Sequence, residues 1–325
     1  MSNSTESAAS QNSRRDFLRQ AIGSSTALLA SACSPDPATP DFDVIDVHIH
    51  AGFGDATLVN QGHEISGVDF SPAGLAAEMA ANRVIHACAM GWETGQSGIS
   101  REARNPMFHE PPEQLAGKLS PIGGINPYTL DAEALARIDS ALAEGTLKGL
   151  KIYLGYYPAA PDDDRYKPVY ELAGRHGVPV VFHTGDTSSA DAKIRFAHPL
   201  PIDDIAVDFR QTKFVLAHLG NPWTMDAAEL MYKNPNVYGD LSGLLIGNEG
   251  YFNDPKNAEG FSGAIERIRE AFAWVENPQK FLYGSDWPLA PMKAYLALMK
   301  RAIDPEHHEA VFRTNAGQLF AADRP

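Results

Sequence analysis

Past residue 40 the chain alternates between short apolar runs and longer amphipathic stretches. The apolar runs are Val44–His50, Val84–Met90, Pro121–Ile125, Leu150–Leu154, Val178–His183, Phe214–His218, Asn236–Asp240 and Phe281–Tyr283. They are rich in Val, Ile, Leu and Phe, as strands covered by helices tend to be. Their starts are spaced by about the length of a βα unit. Helical patterns fill the gaps. Ser71 followed by Pro72 reads as an N-cap and first turn. Leu130–Glu144 carries Leu135, Ile138 and Leu142 on one stripe, and Gly145 follows as a stop. Val169–His176 stops at Gly177, Ile265–Val275 has its apolar residues at helical spacing, and Met292–Ala302 and His307–Phe320 close the chain.

Eight alternations predict an α/β fold, a single (β/α)8 TIM barrel of parallel strands spanning residues 43–325. A doubly wound open sheet is the alternative, disfavoured because no Gly-x-Gly-x-x-Gly follows the first run. Asn60–Ser71 and Gly91–Pro112 are long connections that would rim the mouth of a barrel.

Composition narrows the classes. Of 325 residues, 44% are hydrophobic and 21% charged, which excludes a mainly disordered chain. No apolar run approaches the roughly 20 residues of a membrane-spanning helix. The net charge of −14, from 41 acidic and 27 basic residues, argues against a nucleic-acid surface. Two cysteines exclude a disulfide scaffold, and Cys88, inside an apolar run, reads as a buried thiol.

The first forty residues read as an address. A polar start precedes Ser13-Arg14-Arg15-Asp16-Phe17-Leu18 and an apolar stretch from Ala21 to Ala32, which resembles a bacterial twin-arginine signal. That resemblance implies passage through the twin-arginine translocase to the periplasm. Leu29-Ala30-Ser31-Ala32-Cys33 is similar to a lipoprotein cleavage box, with Leu29 one position early, so Cys33 is a candidate lipid anchor to the membrane. Cleavage after Ala30-Ser31-Ala32 is the alternative. Residues 1–33 would be the signal and 34–42 a stiff polar linker.

The chemistry gathers at the ends of strands. Asp46-Val47-His48-Ile49-His50 ends the first, and simple alternation puts Asp46, His48 and His50 on the inner face with Ile45, Val47 and Ile49 outward. His183 ends the fifth strand, His218 the sixth, and Asp286 follows the eighth. Barrel enzymes catalyse at this C-terminal face. Imidazole and carboxylate suit Zn²⁺ or, with more oxygen, Mn²⁺. Three or four such ligands with one position open make a catalytic site, where the ion brings the pKa of water to about 7.

His48-x-His50, His183, His218 and Asp286, in that order, resemble the amidohydrolase superfamily, and within it the second amidohydrolase family of metal-dependent hydrolases and decarboxylases. The segments 149–153, 181–185, 217–220, 236–242 and 284–288 are similar to its strand-end motifs, and Asn315-Ala316 to its C-terminal signature. The resemblance implies one divalent ion held by His48, His50, His183 and Asp286. Asp286 would double as general base. His218 would be a second-metal ligand or the group that polarises substrate. Lys151 would face inward with Tyr153; carboxylated, it would bridge a second metal, and otherwise it would contact substrate.

Arg195, Trp287, Tyr156 and Tyr157 follow strands and are candidate substrate contacts; His63 and His109 lie in the long loops. Three functions compete: a hydrolase of lactones, amides or esters, a non-oxidative decarboxylase, and a non-catalytic ligand-binding lipoprotein. In each the partner is a small molecule, and a homo-oligomer is compatible with the sequence.

Overall fold

The computed structural model describes residues 42–54, 62–95 and 98–320. The export signal, Cys33 and most of the linker lie outside them. Eight strands form one sheet in sequence order: β1 (Val44–Ile49), β2 (Val84–Met90), β3 (Leu119–Ile125), β4 (Leu150–Ile152), β5 (Pro179–Phe182), β6 (Lys213–Leu216), β7 (Val237–Asp240) and β8 (Phe281–Leu282). Every neighbouring pair is parallel. The sheet closes between β1 and the segment after β8. Val47 N donates to Tyr283 O at 2.9 Å, Asp286 N to His48 O at 2.9 Å and His50 N to Trp287 O at 2.7 Å. This is a (β/α)8 barrel.

The helices include α1 (Pro72–Ala81), α2 (Ala132–Ala143), α3 (Lys167–His176), α4 (Ile202–Asp208), α5 (Thr224–Lys233), α6 (Ala258–Val275), α7 (Met292–Ala302) and α8 (Asn315–Phe320). Ser71 caps α1 by accepting from Gly74 N, and Asp131 caps α2 by accepting from Ala134 N. α4 and α5 fill two gaps in which no pattern stood out. The expected helix over His307–Phe320 is present but changes pitch: a 3₁₀ turn at Pro305–His307 leads into it, a π turn widens it at Ala310–Thr314, and α8 ends it. The carbonyl of Val311 accepts from Tyr283 N at 3.1 Å, tying the widened turn to the barrel.

The barrel floor is apolar. Ile45, Val47, Cys88, Ile122, Val181, Val215 and Leu282 pack with Ala316, Leu319 and Phe320 of α8, which plugs the end where strands begin. The outward residues, such as Ile152, Phe182, Phe214 and Phe281, join the core beneath the helices. Cys88 is fully buried, as its surroundings in the sequence suggest.

Simple alternation fails in β1. Asp46 pairs with Ala87 and Ile49 with Ala89, so three steps on β1 match two on β2. This is a β-bulge, and it places one extra residue on the inner face. Ile45 and Val47 therefore line the floor rather than meet the helices, and His48 and His50 still point inward above them. Asp46 leaves the shared face. Its Oδ1 accepts from His48 N at 3.0 Å and from Ser285 N at 3.0 Å, which pins the bulge against the β8 loop.

The long loop after β2 folds back over the barrel. Met107 and Gly124 exchange backbone hydrogen bonds at 2.9 and 2.7 Å. Only glycine permits this approach, since a Cβ on Gly91 would lie 1.8 Å from Met107 O and one on Gly124 would lie 2.3 Å from Gly91 O.

Candidate metal centre

β1 supplies His48 and His50, the turn after β6 supplies His218, β7 ends in Asp240, and the segment after β8 supplies Asp286. Two of these residues sit in the left-handed region: His218 at φ 61° and Asp286 at φ 60°, with Leu219 beside His218 at φ 46°. Such backbone costs about 1–3 kcal/mol per non-glycine residue and concentrates where function demands a particular side-chain direction. Here it turns both side chains inward just past the ends of their strands.

The Asp286 carboxylate stands among imidazoles. Oδ1 lies 3.3 Å from His50 Nε2 and 3.7 Å from His48 Nε2, and Oδ2 lies 4.0 Å from His218 Nδ1. Among the described residues two groups have ligand spacing, His48–His50–Asp286 and His48–His218–Asp240, each within 4.8 Å. The groups differ in satisfaction. His48 Nδ1 contacts Asp240 Oδ2 at 2.9 Å and Ser242 Oγ at 3.0 Å, and the other Asp240 oxygen accepts from His218 N, Ser242 N and the Ser242 hydroxyl. That group is an internally bonded brace. In the first group His48 Nε2 and Asp286 Oδ1 are buried without hydrogen-bond partners. Fixing Nδ1 of His48 aims Nε2 at Asp286, as outer carboxylates do for metal-bound histidines.

The residues therefore fit a divalent ion. His48 Nε2 and Asp286 Oδ1, both without hydrogen-bond partners, converge with His50 Nε2 on one point. Gly243, at φ 60°, leaves adjoining space: a Cβ there would lie 2.6 Å from Asp286 Oδ2 and 2.8 Å from His218 Nδ1.

Protonation states suit the same use. Burial, reinforced by the Lys151 charge, lowers His48 to about 4, so its imidazole is neutral near neutral pH. Burial likewise lowers His183 and His218. For Asp240 and Asp286 burial pulls upward, but the imidazoles facing them win and hold both carboxylates well below the usual range. Burial brings Lys151 down to about 8.

The structure brings together His48, His50, His218 and Asp286 of the expected residues. His183 stands beside them, its Nδ1 3.2 Å from His218 Nε2 and its Nε2 2.9 Å from Asp186 O, outside the two ligand-spaced groups. Lys151 faces inward as expected, 1% exposed, with no partner for its Nζ. Arg195 is exposed, its guanidinium over the ring of Phe196. Trp287 is fully buried against Phe53 and Phe70. Tyr157 is buried, and Tyr156 is half-buried with its ring on His183. His109 meets the Trp92 carbonyl at 3.0 Å. The side chain of His63 is not among those described.

Asp240, Ser242, Gly243 and Trp92 were not singled out as site residues in the sequence. Asp240 and Ser242 lie in a strand-end motif, and position alone could have marked them. Trp92 stands two residues past β2, whose Ala89 pairs with Ile49, so strand pairing itself brings it beside His50.

A parallel barrel with converging nitrogen and oxygen donors past its strand ends defines an enzyme of the metal-dependent barrel class. The family model described as Amidohydrolase matches residues 45–321, and the chain belongs to that family. The search of curated proteins gives no match. Among solved structures, an amidohydrolase from Burkholderia multivorans with bound zinc is 17% identical, covering 86% of this chain and 99% of that one, with a TM-score of 0.60. A probable 2-pyrone-4,6-dicarboxylic acid hydrolase from Acinetobacter baumannii is 15% identical, covering 86% and 100%, with a TM-score of 0.57. A 2,6-dihydroxybenzoate decarboxylase from Rhizobium is 14% identical, covering 86% and 99%, with a TM-score of 0.56. At these identities the likeness is one of fold.

Proposed function

We propose that this protein is a metal-dependent hydrolase that cleaves a carbonyl C–O or C–N bond of a small molecule, a lactone, ester or amide. The convergence of His48 Nε2, His50 Nε2 and Asp286 Oδ1, two of these atoms buried without partners, carries the reading. We assign Zn²⁺, with Mn²⁺ as the alternative, held by His48, His50 and Asp286 with His183 as a further ligand. The zinc-containing relative from Burkholderia supports that choice. When bound, such an ion acidifies water and polarises a carbonyl. Asp286 is the base, kept ionised by its imidazole neighbours. His218, held at Nδ1 by Ser242 and facing His183 Nδ1 through Nε2 at 3.2 Å, is the residue we assign to steadying charge that develops on the substrate oxygen.

Decarboxylation is the second reading. Lys151 favours it, as a buried ammonium at the site with no partner, and a decarboxylase is among the structural relatives. A screen of lactones, esters and amides beside aromatic acids separates the two.

Metal content tests the centre itself. The full chain, supplied with Zn²⁺ and Mn²⁺ and then desalted, is expected to retain about one equivalent, and His50→Ala to lose most of it. Two equivalents would make Lys151 a carboxylated bridge. No retained metal would overturn the reading in favour of a ligand-binding protein.

We also propose export through the twin-arginine route, with Cys33 as the lipid anchor. Replacing Arg14 and Arg15 together by lysine should leave uncleaved precursor in the cytoplasm. Unchanged periplasmic delivery would refute export by this route, and unchanged membrane association of Cys33→Ala would refute the anchor.

A further inference from the structure

We propose that a cavity at the strand-start end of the barrel seats the phosphodiester headgroup of an anionic phospholipid, so that this end rests on the bilayer and the metal centre faces away from it. The inference goes beyond the hydrolase reading. It takes its setting from the proposed anchor at Cys33 and its ligand from the cavity.

The point where the chain enters the barrel sets the geometry. The described residues begin at Phe42, directly before β1, and so at the end where strands start. The Phe42 ring lies 5.7 Å from that of Phe312, in the widened turn that leads into α8. Eight residues separate Cys33 from Phe42, and fully extended they reach about 30 Å. A lipid on Cys33 therefore keeps this end within that distance of a membrane.

The cavity belongs to the same end. Its volume is about 680 Å³, and residues from the starts of β6 and β7, the ends of α5 and α6, and α8 enclose it. Lys213, Lys233, Lys280, Tyr238 and Asn315 line it, with Glu276 as the one acidic residue. The three ammonium groups are used differently. Lys280 donates to the carbonyls of Asn234 at 3.1 Å, of Pro235, and of Val237 at 3.0 Å, so it lends its charge to the cavity but not its protons. Lys233 is exposed and pairs with Asp203. Lys213 is half-buried and has no partner among the described residues. A phosphodiester is a single negative charge with acceptor oxygens, which a free ammonium in a net positive cavity matches.

Aromatic side chains stand beside it. Tyr232 and Trp274, 45% and 43% exposed, lie in the last turns of α5 and α6, and Tyr232 also lines the cavity. Trp274 Nε1 donates to Glu229 Oε2 at 2.8 Å. Amphipathic rings of this kind settle at headgroup level.

Charge distinguishes the two ends. Ile194, Leu200 and Ile246 are exposed in the connections at the mouth. In those connections, however, acidic residues outnumber Lys and Arg, and the stretches after β1, β3 and β8 hold neither cation. An anionic surface repels such an end. The strand-start end has acids too, Asp304, Glu306 and Glu309. They belong to the segment whose His308 meets Phe42 at 6.0 Å, not to the cavity lining, and Lys300 and Arg301 close α7 just before them.

The full chain carrying Cys33→Ala takes the acyl anchor out of the test. It should bind vesicles of phosphatidylcholine and phosphatidylglycerol in equal parts more tightly than phosphatidylcholine alone, and less so as salt is raised. Lys213→Ala and Lys233→Ala should each weaken this binding about fivefold, Lys213→Arg should retain it, and Glu276→Gln should strengthen it. Lys193→Ala, in the connection after β5 at the mouth, should leave it unchanged. Brominated phosphatidylglycerol should quench tryptophan fluorescence, and Trp274→Phe should remove most of that quenching. The signal segment is common to all these chains, so the differences belong to the barrel. Equal binding to both vesicles, binding that ignores Lys213 and Lys233, or a larger loss in Lys193→Ala overturns the inference. So does Lys213-dependent binding of inorganic phosphate in calorimetry without binding to vesicles, which would make the cavity a site for a free anion. Because these chains lack Cys33, failure here leaves the anchor standing, and a chain found unlipidated in cells leaves the headgroup site standing.

Discussion

Asp286→Asn is expected to lower kcat by about 10²–10⁴-fold, the range for losing a positioned general base, while leaving the fold intact. The amide keeps the shape of the carboxylate but neither its charge nor its affinity for a proton. It also removes the charge that His48 and His50 meet at 3.7 and 3.3 Å, so metal content should fall as well. The melting temperature should stay near that of the wild type, because a buried anion is itself costly and its removal offsets lost contacts. Turnover of a lactone substrate, metal content and thermal melting on the same samples check this. Activity within about tenfold of wild type, at full metal content, would mean that another group takes the proton.

Asp240→Ala should act in the opposite proportion, with a large loss of stability. Asp240 takes His48 Nδ1, His218 N, Ser242 N and the Ser242 hydroxyl. Alanine leaves two backbone donors without an acceptor and frees His48 to rotate. Breaking a buried pair of this kind costs about 3–5 kcal/mol, and loss of an outer-shell partner costs about 10–100-fold in metal affinity. Chemical denaturation and metal titration measure the two effects. A variant with wild-type stability would show that Asp240 is not the brace described above. Asp240→Asn should recover part of the loss, since the amide oxygen still accepts.

How much of this was legible in the sequence depended on range. Strand order and the inward Lys151 followed from period-two and helical patterns, which are local. β2 was found at its true bounds because Val84–Met90 is a continuous apolar run. His183 and His218 were expected to end strands, yet they lie one and two residues beyond β5 and β6. The ladder ends there because the chain must turn over the rim. The β1 bulge could not be read at all. It depends on β2 pairing and on Asp46 reaching Ser285 N, 239 residues away. The histidines were nevertheless aimed correctly, because the extra residue falls between floor and ligands. Trp92 and Asp240 became site residues through strand pairing, the first because β2 lies beside β1 and the second because β7 reaches His48 from two strands away.

The bulge has a kinetic consequence. By turning Val47 and His48 inward in succession, it sets an apolar side chain directly beneath the ligand cluster, and α8 stoppers the barrel below that. Among the described residues, the side chains packed directly beneath the centre are apolar. Solvent, ion and substrate must all pass through the same opening above, so they must take turns. The on and off rates of the metal should therefore track motions of the loops that carry Trp92 and Tyr156, and a ligand seated there should slow chelation of the ion it covers.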